Sequence, residues 1–234
     1  MYALRFEIIS PSLISKSTKH YEEYVVLDWV PLSPRHPTHS TTLKMNTKLI
    51  ENKTFEKTNY TEIYLDKGEY EHCSFINCNF HKADLSHIIF NECTFDGCDF
   101  SLVSMKSTAL RDVKFLNCKL LGVHFDACSE FLFSAHFKNC ILKFASFYKL
   151  KLKQTCFQTC NLQEVDFTET DLTGSIFETC DLQKTLFDHT ILEKVDFRSS
   201  YNYSIDPEKN RIKKAKFSQT NVIGLLDKYD IEID

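Results

Sequence analysis

Glycine and proline are scarce in this chain, at five residues each among 234, and tryptophan occurs once. So little glycine leaves no glycine-rich loop to cradle a phosphate, and no nucleophile elbow or catalytic carboxylate motif is present. No run approaches the ~18 apolar residues that a membrane-spanning helix needs. Ten cysteines occur without a single CxxC pair, and no histidine is spaced to join them, which argues against a metal site. Charge is balanced rather than one-sided: 28 Lys and Arg stand against 32 Asp and Glu, a formal net charge of −4. These absences leave no catalytic, cofactor-binding or metal-ligating residues to nominate, and they point away from an enzyme.

What the chain has instead is a period of five. A large apolar residue returns at Phe55, Tyr60, Leu65, Tyr70, Phe75, Phe80, Leu85, Phe90, Phe95 and Phe100, and onward to Phe125. The beat resumes at Phe137 and runs to Phe197, and sixteen of the twenty phenylalanines fall on it when Phe217 is included. Five fits neither the helical period of 3.6 nor the strand period of 2, so the chain must turn a corner in every repeat. Two residues before each large side chain stands a small or β-branched one, as at Cys73, Cys78, Ala83, Val103, Val123, Ala145 and Val165. Between the two is often Asp or Asn, as at Asn79, Asp84, Asp99, Asp166 and Asp181. Three residues alternating in, out, in form a short strand, and the remaining two form the corner.

The units Ala83-Asp84-Leu85-Ser86-His87, Val165-Asp166-Phe167-Thr168-Glu169 and Cys180-Asp181-Leu182-Gln183-Lys184 resemble the A-(D/N)-L-x-x motif of pentapeptide repeat proteins. The resemblance runs from about Phe55 to Val222. It implies an all-β, right-handed, quadrilateral parallel β-helix, a solenoid of four pentads per coil. Residues twenty apart should then stack. The column Phe55, Phe75, Phe95, Phe115, Phe137, Phe157, Phe177, Phe197 and Phe217 shows this order directly. About eight coils at a spacing of ~4.8 Å make a rod of roughly 40 Å. Eight cysteines occupy inward positions, and Cys78, Cys98, Cys118, Cys140, Cys160 and Cys180 form one ladder. They read as compact apolar filler kept as thiols in a reducing cytosol, the expected compartment.

The repeat is interrupted twice. Phe125 to Phe137 is twelve residues where ten were due, which places a two-residue bulge within Cys128–Ser134, with Phe131 or Phe133 turned outward. From Ser199 to Asn210 one irregular coil turns at Pro207, after which Ile212 and Phe217 regain the register. Three segments follow: a non-repeat extension 1–44, the β-helix 45–221, and a C-terminal segment 222–234. The extension holds four of the five prolines, and two readings stay open for it, a loosely ordered extension or a stretch upstream of a start at Met45. The C-terminal segment leaves the pentad rhythm and is apolar at Val222, Ile223, Leu225, Leu226, Ile231 and Ile233. It resembles the tail of the Qnr-like quinolone-resistance group, which implies closure of the helix and a two-fold homodimer joined end to end through Val222, Ile223, Leu225, Leu226 and Ile231.

The same resemblance implies a DNA mimic that binds the type II topoisomerases, DNA gyrase and topoisomerase IV, and modulates quinolone sensitivity. The candidate acidic face is Asp84, Asp126, Asp166, Glu169 and Asp188, interrupted by Lys106 and Lys149. From Met45 to Asp234 there are 23 Lys and Arg and 28 Asp and Glu, so the acidic excess is thin. A general protein-interaction scaffold with another partner is the alternative. Direct nucleic-acid binding through Lys143–Lys153 ranks below both.

Overall fold

The computed structural model describes residues 48–232, together with the backbone of two short strands, β1 (Val25–Leu27) and β2 (Thr41–Leu43), which pair antiparallel. The rest of the extension 1–44, Met45 and Ile233 lie outside the described residues. The chain divides between Thr47 and Lys48 into two units, and the second is the solenoid.

From Tyr70 to Ile205 the pentads send the large residue and the small residue two positions earlier inward. In most pentads the residue two after the large one adopts left-handed backbone geometry, as at Lys82 (φ 57°), His87 (φ 62°) and Glu92 (φ 51°). That conformation is unfavourable for L-residues, but its amide is not wasted. Lys82 N–H donates to the Ser101 carbonyl at 3.0 Å and His87 N–H to that of Lys106 at 3.0 Å, in the next coil. The Asp or Asn before the large residue builds the same corner. Its carboxylate or amide oxygen accepts the N–H two residues on, as at Asp84 to Ser86 (2.9 Å), Asp99 to Ser101 (2.8 Å) and Asp166 to Thr168 (2.8 Å).

Four walls result, numbered here in chain order within a coil. Wall 1 is centred on Ile50, Tyr70, Phe90, Leu110, Leu152, Leu172, Leu192 and Ile212. Wall 2 carries the phenylalanine column. Wall 3 is centred on Tyr60, Phe80, Phe100, Leu120, Leu142, Leu162 and Leu182, and wall 4 on Leu65, Leu85, Met105, Phe125, Phe147, Phe167 and Phe187. Wall 1 begins as a parallel sheet of β3 (Leu49–Glu51), β5 (Glu69–Glu71), β7 (Ile89–Asn91) and β9 (Ala109–Arg111). Wall 2 is a parallel sheet of β4 (Thr54–Glu56), β6 (Ser74–Ile76), β8 (Thr94–Asp96), β10 (Val113–Leu116), β11 (Ala135–Lys138), β12 (Cys156–Gln158) and β13 (Ile176–Glu178).

Seven strands make six turns of continuous sheet, somewhat fewer than the eight coils expected. The coils bearing Phe197 and Phe217 are joined by isolated bridges, Ile176 to Asp196 and Asp196 to Lys216, rather than by strands. At the other end β3 puts Ile50 opposite Tyr70, so the repeat starts one pentad before the beat at Phe55.

The parallel β-solenoid and its twenty-residue stacking are as expected. Wall 2 stacks its rings without a break, from 4.7 Å between Phe55 and Phe75 to 5.5 Å between Phe197 and Phe217. Rings of neighbouring walls meet edge to face, as Phe95 and Phe100 do at 4.9 Å. Such pairs contribute about 0.5–1.5 kcal/mol each beyond the burial itself. The inward small residues close their own hydrogen-bond account. Cys98 Sγ donates to Phe75 O (3.3 Å), Thr170 Oγ1 to Phe147 O (2.8 Å) and Ser175 Oγ to Leu152 O (2.7 Å), each reaching 23 residues back. Cysteine, serine and threonine are interchangeable there because each is small and can donate to that carbonyl. All ten cysteines are free, and burial pushes the Cys93 thiol up to about 12.

The bulge falls where the spacing places it. Phe125 stacks on Phe147, 22 residues on, at 4.6 Å. Phe131 turns outward, beneath the Arg111 guanidinium, whereas Phe133 turns inward and meets Phe125 edge to face at 6.4 Å. In the irregular coil Tyr203 and Ile205 are the buried apolar residues, and the turn spans residues 207–209. Asn210 is buried there, accepting from Thr190 N–H and donating to Phe187 O, both at 2.9 Å.

Candidate functional site

The inward columns are filled by side chains, so the surfaces on offer are the four walls and the two ends. Shallow hollows lie at the ends, one over Ile50, Phe55 and Tyr64 in the first coils and one over Ile223, Leu226 and Ile231 in the tail. Among the described residues no three His, Cys, Asp or Glu side chains are grouped to hold a metal ion, and no helix is long and apolar enough to cross a membrane.

The candidate acidic residues all lie on wall 4, but they do not form a continuous strip. Asp84 and Asp166 share one column with Ser104, His124 and Ser146 standing between them. Four coils at ~4.8 Å separate the two, or roughly 19 Å. Duplex DNA presents a charge every ~1.7 Å. Each carboxylate also has local work. Hydrogen bonds from Ser86, with help from Lys67 at 3.5 Å, hold the Asp84 carboxyl below its usual range. Asp166 accepts from Thr168 at its corner, and Glu169 pairs with Lys149 at 3.5 Å and receives the Tyr148 hydroxyl at 3.2 Å. Asp126 and Asp188 stand 3.2 Å from His124 and His189. The motif's own Asp is a corner builder, so part of the acidic count on this wall arises from folding.

The lysines of Lys143–Lys153, adjacent in sequence, are dispersed in space. Lys143 is on wall 3, paired with Glu164 (3.5 Å) and lying over the Phe144 ring. Lys149 is on wall 4, and Lys151 and Lys153 are on wall 1, Lys153 paired with Asp171 at 3.2 Å. A run turning a corner every five residues cannot present one basic patch.

At the C-terminus two short 3-10 turns, Val222–Leu225 and Asp227–Tyr229, fold over the last coil. Gly224 is buried, and a Cβ there would sit 2.1 Å from the Tyr203 carbonyl oxygen, so the cap approaches too closely for any other residue. Lys228 ties it down with contacts of 2.8 Å to both Asp206 and Glu208. Partial desolvation works against the Lys228 charge, yet these two carboxylates hold its pKa above the usual lysine range, and both carboxyls are held low in return. Four of the candidate contact residues, Val222, Ile223, Leu226 and Ile231, are exposed. Leu225 instead packs against the core, because a cap must close its own coil, and it is withdrawn from the contact set.

Exposed apolar residues beyond those expected include Leu102, Ile141 and Phe144 on wall 3 and Leu132 beside Phe131 at the bulge. The pattern hid them because they occupy outward and corner positions, where any residue type is admitted.

A family model described as pentapeptide repeat region matches residues 69–129 and 131–206, with its break at the bulge. Among solved structures, a trypsin-treated variant of QnrB1, described as a plasmid-mediated fluoroquinolone resistance protein, superimposes with a TM-score of 0.63 at 17% identity. The match covers 80% of this chain and 92% of that one. A second trypsin-treated QnrB1 variant gives a TM-score of 0.53 at 17% identity, covering 80% of this chain and 100% of that one. Among curated proteins no sequence matches.

Proposed function

The chain belongs to the pentapeptide repeat family, and we propose that it is a non-enzymatic binding rod of the cytoplasm that engages a type II topoisomerase, DNA gyrase or topoisomerase IV, through its walls. The observation that carries a binding role is the filled interior: chemistry is available only on the outer columns and at the ends. The choice of target rests on likeness to the quinolone-resistance group, in the rod and in a tail that leaves Ile223, Leu226 and Ile231 exposed. The ten free thiols suit a reducing compartment. Quinolone protection would follow if the rod occupies the enzyme's DNA-binding surface.

A second reading, a scaffold for a different protein partner, is favoured by one observation. The carboxylates of wall 4 are interrupted by Lys106 and Lys149 and partnered locally, which suits a mixed protein surface better than a phosphate backbone.

Gyrase supercoiling with added protein, with and without ciprofloxacin, tests the first reading; no inhibition and no rescue at micromolar protein would rule it out. Asp166→Asn separates fold from charge, because the amide keeps the corner hydrogen bond while removing the carboxylate. If wall 4 mimics DNA, this variant melts like the parent but inhibits less.

A further inference from the structure

Wall 1 changes sign at the bulge. On its first four rungs, centred on Ile50, Tyr70, Phe90 and Leu110, the outward and corner positions hold five carboxylates and one cation, Arg111, which pairs with Glu69. Among the described residues Glu51, Glu71, Glu92 and Asp112 have no Lys or Arg partner. Their titratable neighbours are His72, between Glu71 (3.7 Å) and Glu92 (3.4 Å), and His136, 3.6 Å from Asp112. Lys48, at the edge of the first rung, is tied to Asp66 on wall 4.

On the last four rungs, centred on Leu152, Leu172, Leu192 and Ile212, the same positions hold six cations and two carboxylates. Both carboxylates are already paired, Asp171 with Lys153 (3.2 Å) and Glu193 with Arg211 (2.6 Å). Lys151, Lys194, Lys213 and Lys214 are exposed and, among the described residues, without an ion-pair partner. The two halves therefore carry −4 and +4, are four rungs long each, and meet at the exposed Phe131 and Leu132, 58% and 63% accessible.

A strip with this arrangement is complementary to itself turned end for end. We propose that wall 1 is a self-association surface, on which a second copy of this chain lies side by side and antiparallel, with the two-fold axis passing through the bulge. A two-fold axis there sets each acidic half against the partner's basic half and brings the two Phe131–Leu132 pairs together at the centre. This is an isologous contact. Eight rungs at ~4.8 Å by one wall's width cover on the order of 500 Å² per chain, or roughly 1,000 Å² in total. That is the size of a weak, reversible contact. Attraction between exposed charges makes it salt-sensitive, since the Debye length shrinks from ~30 Å at 0.01 M to ~3 Å at 1 M. It is distinct from an end-to-end contact through the apolar tail, which salt would not weaken.

Sedimentation equilibrium of the full chain carrying Leu226→Arg, which removes the tail contact, is the test. We expect dimer at about 0.01 M salt and a dissociation constant weakened more than tenfold at about 1 M. Lys213→Glu/Lys214→Glu brings the basic half to neutral and leaves the acidic half at −4. Glu71→Lys/Glu92→Lys brings the acidic half to neutral and leaves the basic half at +4, so neither variant has complementary halves of its own. Each alone should be monomeric at low salt, and their equimolar mixture should form the heterodimer, which also shows both variants to be folded. Monomer at low salt before any wall change, association indifferent to salt, or a mixture that stays monomeric would overturn the proposal.

Discussion

Walls 1 and 2 are neighbours in every coil and share the same corners, yet they are built to different standards. Wall 2 stacks nine phenylalanines without interruption, seven of them on one continuous sheet. Wall 1 has a four-stranded sheet, loses its ladder at the bulge, and resumes as isolated bridges from Lys151 to Arg211. Its central column mixes Tyr, Phe, Leu and Ile. One continuous aromatic column keeps the coils in register, and this frees the adjacent wall to absorb two extra residues and to change charge sign. In a solenoid each coil rests only on its neighbours, so a single well-stacked wall suffices to carry the others.

The comparison breaks first at its strongest point. Phe157 is fully buried, stacked between Phe137 (5.2 Å) and Phe177 (5.0 Å). Phe157→Asp should abolish cooperative thermal unfolding by circular dichroism. It loses more than the roughly 3–5 kcal/mol of a Phe→Ala cavity, because the carboxylate is buried without a partner. A soluble, folded variant would contradict the inward assignment. Within the bulge the contrast sharpens over two residues. Phe133→Ala should cost about 2–3 kcal/mol in urea unfolding, less than a fully buried Phe, and Phe131→Ala within about 0.5 kcal/mol. Equal effects would mean that the bulge does not sort the two rings.

Much of this was legible from the period alone. The beat locates the core, and the twelve-residue step locates the bulge. Which of Phe131 and Phe133 faces outward was not legible, because the two extra residues can be accommodated with either ring on the outside; packing against Phe125 decides it. The charge reversal on wall 1 was invisible for another reason. Glu51, Glu71 and Glu92 are about twenty residues apart, separated in sequence by side chains of the other three walls. Lys143–Lys153 misleads in the opposite sense, adjacent in sequence and split among three walls. Asp84 and Asp166 read as surface charge, although each is also a turn residue.

The ends offer smaller effects. Leu226→Arg should leave stability nearly unchanged and reduce an end-to-end dimer to monomer by light scattering at high salt, where wall 1 contributes little. An unchanged mass would remove the tail as a contact. The smallest effect is expected at Lys228. Asp206 and Glu208 are held below the carboxylate range by its ammonium, so their contribution to the cap is present at neutral pH and is lost as pH falls through their lowered pKa values. The raised pKa of Lys228 acts at the other limit: its contribution is complete below the usual lysine range and is lost as pH rises through the raised value. Lys228→Gln should therefore lower Tm slightly at neutral pH, and the difference from the parent should vanish in acid below both carboxyl pKa values. A difference that persists there would assign Lys228 a packing role instead.

One titration tests the inside–outside phase along the whole rod at once. Nine of the ten cysteines, from Cys73 to Cys180, are buried, and Cys156 alone is partly exposed at an outward position. Buried thiols do not reach reagents that thiolates attack. Titration of the native protein with an aromatic disulfide reagent should modify one thiol, lost on Cys156→Ser, and all ten after denaturation. Several rapidly reacting thiols in the folded protein would contradict the assignment of the five-residue period to core and surface.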